Sequence, residues 1–193
     1  MADEDFEESL RIVISSLKEF KGDSFDLKEE QQQSIRQLFI GKDLVAILPT
    51  GYGKSLIFQT LALVAQQRRG FGFVVVVTAL QSIINDQIAE AQSLGLSACS
   101  LAEKLESLDD ITSGKHSIVF ASAECATDRR FLQALKKSSL FRDNLVALVI
   151  DESHTIETWS GLRGAKSKGR HRETAAFRAA YGKLSMLRSF LKE

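Results

Sequence analysis

Residues 44–56, Leu-Val-Ala-Ile-Leu-Pro-Thr-Gly-Tyr-Gly-Lys-Ser-Leu, constrain the possible folds of this chain more than any other stretch. Leu44 to Leu48 has the length and β-branched content of a buried strand, and Pro49 ends it. Gly51 and Gly53 let backbone N–H groups approach a ligand without obstruction by a Cβ, and Gly53 to Gln67 reads as the helix that follows. Such a turn suits an anionic phosphate chain, which needs converging N–H donors, a helix N-terminus, a fixed positive charge and a Mg²⁺ ligand. Thr50, Gly51, Tyr52, Gly53, Lys54 and Ser55 supply these: amides from Gly51 to Ser55 around a β-phosphate, Lys54 at the β- and γ-oxygens, and the Ser55 hydroxyl for Mg²⁺. Leu48 stands where the strict consensus has its first Gly, and an ordinary strand-turn-helix corner can carry the same Gly-Lys-Ser, so the surrounding chain decides.

The surroundings alternate. Strands are expected at Phe73 to Val77, Leu96 to Ser100, Ser117 to Ala121 and Leu145 to Ile150, with helices at Gln81 to Ser93 and Asp128 to Lys137 between them. Strands separated by helices imply a parallel sheet, so the expected class is α/β with helices on both faces. Before the glycine turn, Phe6, Leu10, Val13, Ile14 and Leu17 make an amphipathic helix that starts acidic and is expected on the outside. A second helix runs from about Leu27 to Ile40, with Ile35, Leu38 and Phe39 inward and Gly41 as its stop. The expected organisation is an acidic N-terminal helix over 1–24 and one domain over 25–193.

The strand at Leu145 to Ile150 runs into Asp151-Glu152-Ser153-His154, placing two carboxylates at the carboxyl end of a buried strand, where α/β sheets hold ligands. Asp151 lies 97 positions (151 − 54) after Lys54. It is expected to hold Mg²⁺ opposite Ser55, with Glu152 polarising the water that attacks a γ-phosphate. An acidic helix cap is the bland alternative.

In this order the residues resemble superfamily 2 helicases, and within them the RecQ-like group. Leu48 to Ser55 looks like motif I, and Asp151 to His154 like motif II of the DEAH kind, which puts His154 with Lys54, Asp151 and Glu152 among the catalytic residues. Gln31 lies 23 positions (54 − 31) before Lys54, where the group has the glutamine that reads the adenine edge, and Phe25 is close enough in sequence to lie near the base. Thr78-Ala79-Leu80 with Asp86-Gln87 resembles motif Ia, and Ser122-Ala123-Glu124 resembles motif Ib, each lacking a proline. Helix packing is the plainer role for Leu80 and Ile84. Trp159 and Phe177 to Tyr181 look like the two ends of the group's aromatic-rich loop.

The resemblance implies a RecA-like nucleotide-binding domain, ATP and Mg²⁺ as cofactors, and single-stranded or forked DNA as partner. Hydrolysis would drive movement along a strand and duplex unwinding. Thr78, Asp86, Ser122, Trp159 and Arg178 are the implied nucleic-acid contacts. Ser160 to Ala176, set between the ends of the aromatic loop, adds Arg163, Lys166, Lys168, Arg170 and Arg172 among glycines, with no large apolar residue except Leu162. Such a segment builds no core and suits salt-sensitive phosphate contacts, though a solvated loop with nuclear-import character would look the same.

Charge is distributed to match. The formal net charge is zero, yet residues 1–30 carry ten acids against four bases and residues 161–193 carry nine bases against two acids. Cys99 and Cys125 match no metal-ligand spacing and read as buried free thiols, and His116 and His171 receive no role. No apolar run approaches the roughly 20 residues that span a bilayer, so a nuclear or cytoplasmic site is expected. Two other readings remain open at this point: a truncated paralogue that binds nucleic acid or a partner without motor activity, and a DEAH-type RNA helicase fragment.

Motif III, motifs IV to VI and a second RecA-like domain find no counterpart, so the resemblance implies a part of a helicase that is weak or inactive alone. In this class the motif III strand lies between the strands of motifs I and II, so its loss leaves a gap in mid-sheet, where unpaired backbone is costly. A chain with such a gap is expected to be marginally stable. Circular dichroism should show a thermal transition below about 60 °C, and a cooperative melt above that contradicts the gap.

Overall fold

A computed structural model describes residues 2–78, 81–104 and 108–151, together with Leu184 and Leu187. Two helices, α1 (Ala2–Lys21) and α2 (Glu29–Phe39), precede the long α3 (Lys54–Arg69). Strand β1 (Phe73–Val77) is followed by a 3₁₀ turn over Gln81–Ile83, then α4 (Ile84–Ser93), β2 (Ala98–Ser100), α5 (Leu101–Lys104) and α6 (Asp109–Thr112). After β3 (Ile118–Ala121) come α7 (Ala123–Ala126), α8 (Arg129–Lys137), α9 (Ser139–Asp143) and β4 (Leu145–Ile150). The strands form one sheet in the order β2-β3-β1-β4, and every pairing is parallel. The expected α/β class with a parallel sheet therefore holds.

The sequence Phe-Val-Val-Val-Val of β1 explains the layering. All five residues are buried, because a strand covered on both faces needs apolar side chains on both. Val74 and Val76 enter one hydrophobic cluster, with Ile118 and Phe120 of β3 and the inward residues of α1, α2 and α3. Phe73, Val75 and Val77 enter the opposite cluster, with Val119, Ala121, Leu101, Phe131, Leu135, Leu184 and Leu187. The period of two along each strand thus feeds two cores from one sheet. Cys99 of β2 is buried in the second, where loss of hydration pushes its thiol up to about 12.

Helix α3 is buried on nearly its whole circumference from Ile57 to Ala65. Such a helix must be enclosed by other elements, and α1, α2, β1 and β4 all pack on it. The first helix is amphipathic, as its spacing implies, with its polar side exposed and its apolar stripe inward. Phe6, Leu10, Val13 and Leu17 are buried and belong to the first cluster, since α1 covers the face of α3 turned away from the sheet. The Phe6 ring packs on Phe39 of α2 at a centroid distance of 4.7 Å. Each such buried side chain contributes about 1.5–3 kcal/mol. The exposed pairs Arg36–Glu7 (3.5 Å) and Arg68–Asp5 (3.4 Å) add little.

The strand expected at Leu44 to Leu48 is corrected: these residues form no strand, and Val45 and Ile47 are 85% and 92% exposed. Burial of an extended run requires a neighbour that satisfies its N–H and C=O groups. Among the described residues no strand pairs with Leu44 to Leu48, so no ladder satisfies their backbone groups. Leu48 packs on the first cluster without one. The remaining strands lie where the apolar runs place them, with β2 and β3 shortened to Ala98–Ser100 and Ile118–Ala121. Residues 152–183, with the expected basic insertion and aromatic loop, lie outside the described residues.

Phe6→Ala should therefore cost about 3–5 kcal/mol. Ile47→Ser should stay within about 0.5 kcal/mol. Urea denaturation followed by circular dichroism measures both, and a large loss at Ile47 would mean that Leu44 to Leu48 is buried.

Candidate nucleotide site at the carboxyl edge of the sheet

The glycine turn is shaped by residues far from it in sequence. Gly51 and Gly53 have φ of 77° and 87°, and Gly53 is the left-handed N-cap of α3. The Gln31 carboxamide, 2% exposed, is wedged beneath this turn. Its Nε2 donates to the carbonyls of Tyr52 (3.1 Å) and Gly53 (2.9 Å), while its Oε1 accepts from the Lys28 N–H (2.9 Å) and so caps α2. A Cβ on Gly53 would lie 2.8 Å from Gln31 Nε2, so glycine is required here by space as well as by φ.

Tyr52 is turned away from the glycine backbone. Lys28 Nζ sits 3.8 Å from the centroid of its ring, and its hydroxyl donates to the Glu30 carboxylate. That hydrogen bond holds the Glu30 carboxyl below its ordinary range and raises the Tyr52 phenol. Lys54 Nζ donates to the carbonyls of Leu48 and Pro49, both at 3.3 Å, and lies against the loop it would leave to meet a phosphate. Thr50 and Gly51 are exposed, and Ser55 is half-buried in the first turn of α3. Phe25 is half-buried against the first cluster, with Lys21 Nζ 5.9 Å from its ring centroid.

Register brings the other candidates together. Val77 is level with Ala121 and with Ile150, so Thr78, Ser122 and Asp151 each follow the last residue of neighbouring parallel strands and form one row at the carboxyl edge. Their exposures differ. Thr78 is fully buried, and its N–H donates to the Ala121 carbonyl (3.0 Å), so its surroundings do not suit the expected nucleic-acid contact. Ser122 Oγ accepts from the Cys125 N–H (3.3 Å) as the N-cap of α7, and Asp86 is exposed in the first turn of α4. Glu152, His154, Trp159, Arg163, Lys166, Lys168, Arg170, Arg172 and Arg178 lie outside the described residues.

Asp151 is anchored twice, through its N–H to the Val77 carbonyl (2.9 Å) and through its carboxylate, which accepts from Gln87 Nε2 at 3.1 Å. The partnership of Gln87 with Asp151 was not legible beforehand; the Asp86-Gln87 pair marked the segment but not its target 64 positions on. Lys28 and Glu30 likewise gave no signal, because only the folded turn brings Tyr52 to them. Among the described residues no group of three or more His, Cys, Asp or Glu could enclose a metal. One carboxylate and one hydroxyl oxygen fit Mg²⁺ that keeps water and phosphate ligands, not a cation held by protein alone.

Residues 28–180 match the family model described as DEAD/DEAH box helicase. The chain is 30% identical over 151 residues to the ATP-dependent helicase wrn-1 of Caenorhabditis elegans, covering 76% of this chain and 13% of that protein. It is 32% identical over 158 residues to ATP-dependent DNA helicase Q5 of Rattus norvegicus, with 77% and 16% covered. It is 30% identical over 167 residues to ATP-dependent DNA helicase Q-like 4B of Arabidopsis thaliana, with 80% and 14% covered. The chain thus spans between 13% and 16% of the length of these three relatives.

Gly53→Ala meets both the positive φ and the Gln31 amide, and is expected to destabilise the fold by about 1–3 kcal/mol. Chemical denaturation measures this. A stability equal to the parent's would mean that the Gln31 contact does not shape the turn.

Proposed function

The chain belongs to the DEAD/DEAH box helicase family, and from that premise we propose that residues 25–193 are the RecA-like nucleotide-binding domain of a RecQ-like DNA helicase. The observation that carries the reading is the placement of Asp151 at the carboxyl edge of a parallel sheet. The Gly51–Ser55 turn opens the helix that packs against the same strand.

In this reading the turn amides and the N-terminus of α3 receive the β-phosphate of ATP, and Lys54 exchanges the Leu48 and Pro49 carbonyls for phosphate oxygens. Ser55 and Asp151 would hold Mg²⁺, which when bound neutralises charge developing on the β- and γ-oxygens. Glu152 orients the attacking water, and His154 completes the motif. Gln31 sets the shape of the turn, and its carboxamide would leave these partners to meet an adenine edge. Asp86, Ser122, Trp159, Arg178 and the basic residues of 160–176 are the proposed nucleic-acid contacts. Single-stranded or forked DNA is the proposed partner, and hydrolysis coupled to translocation is the proposed activity. The relatives are DNA helicases by name, which favours DNA over RNA.

Removing the lysine charge from this cradle should be severe, since hydrogen bonds to charged groups are each worth about 1.5–3 kcal/mol. Lys54→Ala should weaken Mg-nucleotide binding by roughly tenfold to a hundredfold in a fluorescent-nucleotide titration. Unchanged affinity sinks the assignment. Affinity for single-stranded DNA that ignores nucleotide would favour a non-motor binding protein, and preference for RNA in a competition assay would favour an RNA helicase.

A further inference from the structure

The hydrogen bond between Gln87 and Asp151 joins two parts of the molecule that the proposed function keeps separate. Asp151 ends β4 in the nucleotide site, whereas Gln87 lies in the first turn of α4, next to exposed Asp86 on the nucleic-acid side. The contact is 3.1 Å and spans 64 positions. Its orientation follows from chemistry: an ionised carboxylate only accepts, so Nε2 must face Asp151 and Oε1 must face away. Gln87 Oε1 is buried and has no hydrogen-bond partner among the described residues, so the contact with Asp151 is the one polar anchor that they give this side chain.

We propose that Gln87 is a positioning residue that holds the Asp151 carboxylate for Mg²⁺ and carries the position of α4 into the nucleotide site. The inference rests on the reading of Asp151 as the metal-holding carboxylate. α4 follows directly from the 3₁₀ turn after β1, so a strand that moves its first turn moves Gln87 with it. Asp151 has its backbone tied to Val77 and its carboxylate tied to Gln87, so a shift of α4 bears on the carboxylate. The link works in both directions, because a coupling free energy between two sites is reciprocal.

The test uses the full 193-residue chain and a fluorescent ATP analogue, titrated with Mg²⁺ and with EDTA, each with and without an oligo-dT strand. Gln87→Ala is expected to bind the analogue in EDTA as the parent does and to lose roughly tenfold of the affinity that Mg²⁺ adds. The effect of oligo-dT on nucleotide affinity should fall toward none. Gln87→Glu, of the same shape, sets carboxylate against carboxylate and should lose at least as much. It decides the matter where the alanine variant also fails in EDTA, the sign of a folding defect. Variants that keep both the Mg²⁺ gain and the oligo-dT effect overturn the inference while leaving the nucleotide-site reading intact. A parent chain that gains nothing from Mg²⁺ overturns both.

Discussion

Everything in this fold depends on β1 being buried on both faces between β3 and β4. Five consecutive apolar residues allow no solvent on either side, so helices must cover both, and the backbone must be paired on both edges. Parallel pairing in register then has a geometric consequence. The residues that follow β1, β3 and β4 emerge at one level, and Thr78, Ser122 and Asp151 share an edge although 73 positions (151 − 78) separate the first from the last. Hydrophobic burial thus positions groups whose own chemistry is polar.

The glycine turn depends on a different kind of interaction. Backbone with positive φ at Gly51 and Gly53 has no side chains to hold it, and its shape is borrowed from α2. One carboxamide, Gln31, satisfies two turn carbonyls and one helix N–H, while Lys28 and Glu30 engage the two ends of the Tyr52 side chain. α2 is itself held by α1 and α3 through Phe6, Phe39 and Ile35. The first helix of the chain is therefore part of the support for the turn, through its apolar stripe.

What was legible in the residues was mostly local. Phe73–Val77 and Leu145–Ile150 were found at their ends because a continuous β-branched run bounded by polar residues has one good conformation in a parallel sheet. The helix expected from Asp128 to Lys137 is α8, which the Asp128 carboxylate caps by accepting from the Arg130 N–H (2.8 Å). Leu44–Leu48 has the same apolar character and forms no strand, since strand formation is decided by a neighbour and not by the run itself.

Taken alone, the sequence determined the order and type of most elements, the glycine turn with its Lys-Ser pair, and Asp151 at the end of an apolar strand, though β4 is only partly buried. Each follows from spacing along the chain, where local sterics and side-chain periodicity govern. Tertiary structure decided the rest: that Gln31 shapes the turn, that Gln87 holds Asp151, that Thr78 is buried and that Val45 and Ile47 are not. These are contacts or exposures set by groups distant in sequence. Hydrogen bonding and burial act between whatever the fold brings within about 3 Å, and no local pattern encodes that distance.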